Sequence, residues 1–324
     1  MPLPFVTVDA FTSVRFRGNP AAVVLLPRSS DPENGSAELI EDGTPGGTRM
    51  QGFPLDGFLA DVAKEMNLSE TAFVKPRGPR DDDDDDAFDL RWFTRDGTEV
   101  DLCGHATLAT AHALWSTGAT PSTRTLRFHT RGGELTVRPL GDGLAEMDFP
   151  SAPPTLDRLD AAVTPQKVAA ALTLPGDVAP RIVGSNAVGD IFAVFDEAED
   201  VLRARPNAAL VAALGGRGLV ATAAGGTGEG GADVDFTSRF FGPNIGIEED
   251  PVTGSSFCGL APYWTAELGV EPGAELVGYQ ASARGGTVRV AVRRQPTRGG
   301  EGDAGTERVA IRGHAVTVVR GEVL

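Results

Sequence analysis

The two halves of the chain carry the same order of predicted elements. In the first half, a strand pattern is followed by a helix pattern, two more strand patterns and a helix of small residues, at 18–26, 55–66, 71–74, 90–94 and 104–114. The second half gives the same order at 184–195, 207–214, 218–224, 237–242 and 253–264. Self-similarity over so many elements predicts two domains of the same architecture.

The closest local match between the halves is Arg91-Trp-Phe with Arg239-Phe-Phe. Each triplet precedes an acidic stretch and then a glycine, Gly104 or Gly254, that opens a helix of small residues. We expect the two similar domains to pack face to face. Because clefts between domains are preferred ligand sites, we also expect a ligand to bind between them.

Strand patterns rich in Val and Phe dominate both halves, with room for about two helices in each. Alternation of polar and apolar residues at 135–139 and 287–292 indicates antiparallel strands with one covered face. The strand-like segment 309–323 is expected to return and complete a sheet. We therefore predict an α+β fold of two pseudo-symmetric domains, each a mainly antiparallel sheet curled around a central helix. The predicted domains are 1–147, completed by about 313–324, and 148–312.

Four segments rich in Gly, Pro, Asp or Glu interrupt these patterns and are predicted to be surface insertions. They are Pro27–Thr48, Arg77–Asp86, Gly225–Gly231 and Arg294–Thr306. The second contains six consecutive aspartates, Asp81–Asp86. A calcium site would need spaced ligands and a turn glycine, so a solvated loop is expected there.

The net charge of −16 argues against nucleic acids and anionic membranes as partners, because both require a basic patch. No apolar run is long enough to span a membrane, and the N-terminal sequence lacks the basic and apolar regions of a secretory signal. Two cysteines are too few for a disulfide framework and favour a cytoplasmic location. Only four histidines accompany them, which makes a structural zinc site improbable.

The segment DLCGHATLATAHAL, residues 101–114, contains the first of the two helix starts. Gly104 leaves room for a ligand near the backbone N–H groups of the first turn, which favour a carboxylate. A metal site would want histidines at i and i+4 or a third ligand nearby, and the spacing of His105 and His112 offers neither. We expect His112 to pack or cap the helix.

The second helix start, EDPVTGSSFCG at 249–259, has similar features. Asp250 and Pro251 favour an extended or turn conformation, and Thr253, Gly254 and Ser255 supply backbone donors and a hydroxyl. By itself this is an ordinary capped helix start. Together with its counterpart in the first half, it suggests two positive helix ends that point into one cleft.

Glu70 lies where a helix pattern gives way to a strand, between Leu68 and the apolar residues 72–74. It could be a surface charge at a helix end, which is the usual role of such a residue. A carboxylate with apolar neighbours could instead have a raised pKa and transfer protons. Position alone leaves both roles open.

The two cysteines are not equivalent in the repeat, because Cys103 directly precedes Gly104 whereas Cys258 follows Gly254 inside the helix. This spacing disfavours a symmetric pair of thiol acid/bases. The sequence also lacks the Gly-x-Ser-x-Gly elbow, the phosphate-binding Gly-x-x-x-x-Gly-Lys motif and the dinucleotide fingerprint.

The sequence resembles the PhzF-like family, named for the phenazine-biosynthesis isomerase, which has the diaminopimelate-epimerase fold. The matching stretches are VDAFTSVRFRGNPAAVVL (8–25), MNLSETAFV (66–74), RWFTRDGTEVDLCGHATLATAHAL (91–114), SRFFGPNIGIEEDPVTGSSFCGLAPYW (238–264) and QASARGG (280–286). They cover most of the chain, and only the four insertions are unaccounted for. The resemblance implies a cofactor-free active site without a metal, between two pseudo-symmetric domains, and a homodimer.

The resemblance also implies roles for particular residues. Those with implied catalytic roles are Glu70, as the acid/base, His105, Asp250 and Ser255. Those implied to bind substrate are Asn19, Gly104, Ala106, Thr253 and Gly254. In related epimerases two cysteines exchange the proton; here the first position is Cys103 and the second is Asp250, so a two-thiol epimerase is not supported.

The implied activity is a cofactor-independent isomerase or epimerase of a small metabolite with a carboxylate. Glu70 would remove a proton from one carbon and return it to another. The substrate carboxylate would lie against N–H groups near Gly104 and Gly254. Two alternatives remain open: a catalytically idle protein that binds a small carboxylate, and a hydrolase or transferase that uses Cys103 as its nucleophile.

Overall fold

The computed structural model describes residues 2–28, 52–77, 86–156, 159–295 and 306–324. The predicted insertions 27–48, 77–86 and 294–306 therefore lie almost wholly outside the described residues, as does the aspartate run except for Asp86. Two compact units make up the chain. The first comprises Met1–Phe16, Pro20–Met147 and His314–Leu324, and the second comprises Arg17–Asn19 and Asp148–Gly313. Unlike the predicted domains, this division groups Arg17–Asn19 with the second unit.

Within its described residues, the first unit contains two helices and most of nine strands. The helices are α1 (Asp56–Met66) and α2 (Gly104–Ser116). The strands are β1 (Leu3–Ala10), β2 (Asn19–Leu25), β3 (Glu70–Pro76), β4 (Ala87–Thr94), β5 (Glu99–Val100), β6 (Leu126–Thr130), β7 (Gly133–Gly141), β8 (Leu144–Pro150) and the C-terminal part of β16 (Thr306–Val323).

The strands of the first unit form a curled, barrel-like sheet against which α2 packs. Strands β1, β2, β3, β4, β6, β7 and β8 are neighbours in that order, and β1 also pairs antiparallel with β16, from Leu3 with Val323 to Ala10 with Ala315. Helix α2 contacts β1, β3 and β7. Every residue from Gly104 to Leu114 except His112 is buried. The small side chains of this helix allow that close packing.

The described part of the second unit contains four helices, further strands and three short 3₁₀ turns. The helices are α3 (Pro165–Ala171), α4 (Ala198–Arg203), α5 (Ala208–Ala213) and α6 (Phe257–Glu267), and the turns are Glu229–Gly231, Pro243–Ile245 and Gly254–Ser256. The strands are β9 (Ile182–Ser185), β10 (Asp190–Phe195), β11 (Gly218–Ala224), β12 (Phe236–Gly242), β13 (Ile247–Asp250), β14 (Leu276–Gln280), β15 (Gly286–Gln295) and the N-terminal part of β16. The predicted insertion Gly225–Gly231 lies in the connection between β11 and β12.

Strand pairing in each unit follows the repeat seen in the sequence. In the first unit β2 is parallel to β3, β3 antiparallel to β4, β4 parallel to β6 and β6 antiparallel to β7. In the second unit β10, β11, β12, β14 and β15 pair in the same alternation. The predicted antiparallel pairing at 135–139 and 287–292 is confirmed. The parallel pairs were not predicted; they arise because helical crossovers separate their strands.

The repeated arginines link equivalent pairs of strands in the two units, β4 with β5 and β12 with β13. Arg91 on β4 donates two 2.8 Å hydrogen bonds to Glu99 of β5. Arg239 on β12 donates bonds of 2.7 and 2.9 Å to Glu249 of β13. Both arginines are buried. The Arg-aromatic motif therefore has a structural role in each unit.

Helix α1 packs on the core of the first unit and ends shortly before β3 begins. Leu59 and Val62 of this helix pack in a core with Phe73 and Phe93, whose rings meet edge to face with centroids 5.7 Å apart. The helix ends at Asn67, which adopts a left-handed conformation with φ of 49°. A polar residue that tolerates this conformation turns the chain into the next strand. No helix among the described ranges is long and apolar enough to cross a bilayer.

Candidate active site

Glu70 and His105 form a buried pair in the first unit. Glu70 is the first residue of β3, which is hydrogen-bonded to β2 on one side and β4 on the other. His105 is the second residue of α2. The His105 Nε2 and Glu70 Oε2 atoms are 3.2 Å apart, and the side chains are only 6% and 12% exposed. The carboxylate is therefore largely withdrawn from solvent and has a potential proton carrier in contact with it.

Cys103 adds a third group to this pair. It immediately precedes α2 in an extended conformation and does not cap the helix with its side chain. Its Sγ atom lies 3.6 Å from Nδ1 of His105. The imidazole thus has a thiol at one nitrogen and a carboxylate at the other.

The environment of these groups changes their protonation. Burial disfavours the charged form of His105, but Cys103 and Glu70 outweigh it and raise the imidazole pKa well above its ordinary value. Burial, assisted by the charge of Glu70, raises the pKa of the Cys103 thiol despite the opposing effect of His105. Both shifts favour the protonated forms, a thiol that keeps its hydrogen and an imidazole that holds a second proton.

The sulfur, nitrogen and oxygen atoms of Cys103, His105 and Glu70 all lie within 4.8 Å of one another, close enough to be considered as a metal site. Glu70 thus adds a third possible ligand to Cys103 and His105, which the spacing of residues in the sequence did not predict. However, His105 faces Cys103 with Nδ1 and Glu70 with Nε2. One ion can bind only one of these nitrogens, so the arrangement suits proton transfer better than chelation.

A second polar cluster, in the second unit, surrounds Asp250 at the end of β13. Its Oδ1 accepts a 2.8 Å hydrogen bond from Nδ2 of Asn19, and its Oδ2 accepts a 2.5 Å bond from the Thr253 hydroxyl. Asn19 also donates to the carbonyl of Val252 at 2.9 Å. Asn19, Asp250 and Thr253 are all buried. The two carboxylate oxygens are therefore fixed in place by donors from this unit.

Gln280, the last residue of β14, completes the Asp250 cluster. This side chain is fully buried. Its Oε1 accepts a 2.8 Å hydrogen bond from the backbone N–H of Thr253, and its Nε2 donates a 2.7 Å bond to the carbonyl oxygen of Asp250. The residue was not singled out from the sequence. The available signal was a glutamine at the end of the otherwise largely apolar strand LVGYQ.

Ser255 lies in the 3₁₀ turn before α6 and contacts Arg217, which forms an ion pair with Asp190; neither residue was predicted from the sequence. Its hydroxyl accepts a 3.0 Å hydrogen bond from Nη2 of Arg217. Arg217 also donates two 2.8 Å bonds to the fully buried carboxylate of Asp190. Gly216 precedes Arg217 with φ of +68°, and a Cβ there would lie 2.5 Å from the carbonyl oxygen of Gly189. A glycine is therefore required in the turn that presents Arg217.

Comparison with known proteins identifies the family. The model of the family described as phenazine biosynthesis-like protein, PhzC-PhzF, matches residues 8–321. The chain belongs to the phenazine biosynthesis-like family. A relative from Halalkalibacterium halodurans, named an uncharacterized isomerase, is 37% identical over 100% of this chain and 99% of its own length.

Solved structures agree with this assignment. A member of the phenazine biosynthesis protein PhzF family from Enterococcus faecalis is 32% identical, matches 100% of both chains and has a TM-score of 0.75. A hydroxyproline epimerase from Agrobacterium vitis is 12% identical, with coverage of 99% of this chain and 92% of that one, and a TM-score of 0.54. The second likeness shows the fold alone. The phenazine biosynthesis-like fold here is a strand-rich mixture of helices and barrel-like sheet.

The structure distributes the predicted site residues of this phenazine biosynthesis-like protein over the two clusters. Glu70, Gly104, His105 and Ala106 come together in the first unit, at the start of α2. Asp250, Thr253, Gly254 and Ser255 lie in the second unit, in the segment that leads into α6. Asn19, the first residue of β2, joins them through its hydrogen bond to Asp250. Asn19 was predicted to bind substrate, and in the structure its amide orients Asp250 and Val252; its contact with substrate stays a prediction.

The remaining histidine and cysteine of the two helices lie apart from this chemistry. His112, half-buried on α2, has its Nε2 3.0 Å from the Thr317 hydroxyl, in keeping with the packing role expected from the sequence. Cys258 lies inside α6, where burial and the nearby Asp190 raise its thiol pKa to about 12. The two cysteines therefore occupy different environments, as their spacing predicted.

Proposed function

We propose that this protein is an isomerase that shifts a proton between carbons of a small carboxylate-bearing metabolite, without a cofactor, with Glu70 as the general base. The observation that carries the proposal is the buried pair of Glu70 and His105, with Oε2 and Nε2 3.2 Å apart. Membership of a family with a relative named as an isomerase supports the reaction class.

The proposed reaction begins when the Glu70 carboxylate removes a proton from a carbon of the substrate. The electron pair of that C–H bond is delocalised into an adjacent unsaturated group. A new C–H bond then forms at another carbon with a proton from Glu70, or with one from His105, which then recovers a proton from Glu70. The substrate is isomerised with no net gain or loss of atoms or electrons, and both side chains return to their starting states. Acid/base catalysis of this kind contributes on the order of 10²–10⁴-fold.

His105 suits the role of proton carrier because its contacts with Cys103 and Glu70 raise the imidazole pKa and so favour the charged form. An imidazolium in contact with Glu70 can donate a hydrogen bond to the carboxylate and hold it in position. After the transfer, the same imidazole can supply a proton or stabilise the negative charge that develops on the substrate.

The start of α2 offers a place for a negatively charged group of the substrate. The N–H groups of a first helical turn are not used within the helix, and Cys103 does not cap them with its side chain. Gly104 and Ala106 bring no bulky side chain to this turn. Helix starts of this kind favour carboxylates, and we propose that Gly104, His105 and Ala106 bind one. In the second unit, Thr253, Gly254 and Ser255 would supply similar donors before α6.

The test is incubation of the protein with a panel of small unsaturated carboxylates in heavy water, with deuterium at carbon detected by NMR. The wild-type protein should incorporate deuterium into a substrate, and Glu70→Gln should lose this activity. Binding by calorimetry without any exchange would favour the idle binding protein. Undiminished exchange by Glu70→Gln would refute its role as base.

A nucleophilic Cys103 is the second candidate, because the structure supplies His105 Nδ1 at 3.6 Å from its sulfur. The raised pKa of the thiol argues against it, since the thiolate is the nucleophilic form. A covalent acyl or glycosyl adduct on Cys103, detected by mass spectrometry during turnover, would favour this candidate over the isomerase.

A further inference from the structure

His105 lies between Cys103 and Glu70 and contacts each with a different ring nitrogen. Its Nδ1 lies 3.6 Å from Cys103 Sγ, and its Nε2 lies 3.2 Å from Glu70 Oε2. A neutral imidazole has one N–H and one lone pair, and the partner of one nitrogen determines which form is favoured. The thiol is thus placed to influence the atom that faces the proposed base.

Two protonation states of His105 fit these contacts. In the neutral state, the Cys103 thiol donates to Nδ1 and the ring proton resides on Nε2, directed at Glu70. In the charged state, Nδ1–H donates to the sulfur and Nε2–H still faces Glu70. The other neutral tautomer would direct the Nε2 lone pair at a carboxylate, which is repulsive. Both favourable states therefore put a proton on Nε2.

We propose that Cys103 is a positioning residue that occupies Nδ1 of His105 and thereby keeps a proton on Nε2, facing Glu70. This inference rests on the proposed function for its consequence in catalysis. Its structural content, the tautomer of His105, does not depend on any reaction. Cys103 touches the imidazole and does not need to touch the substrate.

The protonation of the thiol is consistent with this role. Burial raises the pKa of Cys103, so the sulfur retains its hydrogen and can donate when His105 is neutral. The sulfur can equally accept from Nδ1–H when His105 is charged, because a thiol is a weak donor and a weak acceptor. One residue therefore supports both steps of a proton cycle at Nε2.

Other charged groups on the strands packed against α2 have partners elsewhere. Asp9 of β1 accepts a 2.6 Å hydrogen bond from the backbone N–H of Phe16. On β7, Arg138 pairs with a glutamate of β8, and Glu134 lies 3.6 Å from a histidine of β6. Glu70 of β3 and Cys103 are the groups that act on the pKa of His105.

The direct test is ¹⁵N NMR of the imidazoles in the ligand-free protein, which contains only four histidines. The His105 signals are assigned with His105→Gln. We expect the wild type and Cys103→Ser to show a protonated Nε2 throughout the titration. In Cys103→Ala, the Nδ1-protonated tautomer should appear and the pKa of His105 should fall by about one unit, a typical environmental effect.

Cys258→Ala is the matched control, because it removes the other buried thiol, which lies near Asp190. Its His105 signals should equal those of the wild type. A Cys103→Ala spectrum identical to this control would overturn the proposal. So would a neutral wild-type His105 protonated on Nδ1, a result that requires no variant to fold.

Catalysis provides a separate readout. In the deuterium-exchange assay, Cys103→Ala should lower kcat with little change in KM and move the alkaline limb of the pH profile to lower pH by about one unit. Cys103→Ser should recover most of the activity. An unchanged pH profile in Cys103→Ala would contradict the positioning role. Loss of the Glu70 assignment would instead appear as full activity of Glu70→Gln, so the two failures are distinguishable.

Discussion

Arg217 joins the buried carboxylate of Asp190 to the hydroxyl of Ser255. It donates two 2.8 Å hydrogen bonds to Asp190 and one 3.0 Å bond to Ser255 Oγ, and its side chain remains 26% exposed. With its oxygen already accepting from Arg217, Ser255 is left with a hydroxyl proton to direct elsewhere. Arg217 therefore orients a residue for which the family resemblance implies a catalytic role.

Replacement of Arg217 tests this orientation. Lysine preserves the charge beside Asp190 but cannot form the bidentate pair and the bond to Ser255 together. We expect Arg217→Lys to lower kcat for deuterium exchange about 10-fold. This corresponds to an increase of roughly 1.4 kcal/mol in the activation free energy, caused by the loss of orientation of Ser255. The double variant with Ser255→Ala should lose no more activity than Ser255→Ala alone. Full additivity of the two changes would contradict the coupling.

The Asp250 cluster should depend strongly on Gln280. Gln280→Leu leaves the N–H of Thr253 and the carbonyl of Asp250 without their buried partner. We expect a loss of about 2–4 kcal/mol in the free energy of unfolding, measured with urea. The exposed Gln166 of α3 provides the control, and Gln166→Leu should change stability by about 0.5 kcal/mol or less. Equal effects of the two variants would be inconsistent with this role of the cluster.

The repeated arginines should be important for stability. Arg239 also donates to the carbonyl of Ala204 at 2.7 Å, just after the end of α4. Arg239→Met leaves Glu249 without its guanidinium partner and should cost about 3–5 kcal/mol of unfolding free energy. Hydrogen exchange should accelerate in α4. The control Arg203→Met breaks only an exposed pair with Glu199, worth about 0.5 kcal/mol. Comparable losses in both variants would contradict a specific role for Arg239.

His105 should make stability depend on pH. Because its pKa is raised on folding, protonation favours the folded state. This contribution is fully present below the unfolded pKa of about 6.5 and is lost as the pH rises through the folded pKa. Urea titrations across this range should show a decline for the wild type that is absent in His105→Gln. Parallel curves for the two proteins would show that His105 is not the source.

The sequence revealed the repeat because Arg91 and Arg239 each support the same corner of a sheet, and such a structural need leaves a local motif. It placed Glu70 at the beginning of a strand but could not decide between a surface charge and a base. Burial argues against the exposed surface charge, because the Glu70 side chain is only 12% exposed and contacts His105; its role as base stays a proposal. That contact joins β3 to α2, which are far apart along the chain.

Other contacts of the site were beyond sequence reasoning for the same physical reason. Residues two positions apart do not face each other on a helix, so Cys103 and His105 gave no signal as a pair. They meet because Cys103 is extended before the helix begins, with ψ of 106°. Arg217 and Gln280 act through partners that only the folded sheet brings near.

The most direct test of the central claim is the rate of deuterium incorporation at carbon by Glu70→Gln relative to Glu65→Gln. Both changes remove one carboxylate charge, but Glu65 is exposed on α1 whereas Glu70 contacts His105. The account predicts a loss of at least about 100-fold in Glu70→Gln and a wild-type rate in Glu65→Gln. Equal rates in the two variants, with both folded, would contradict it.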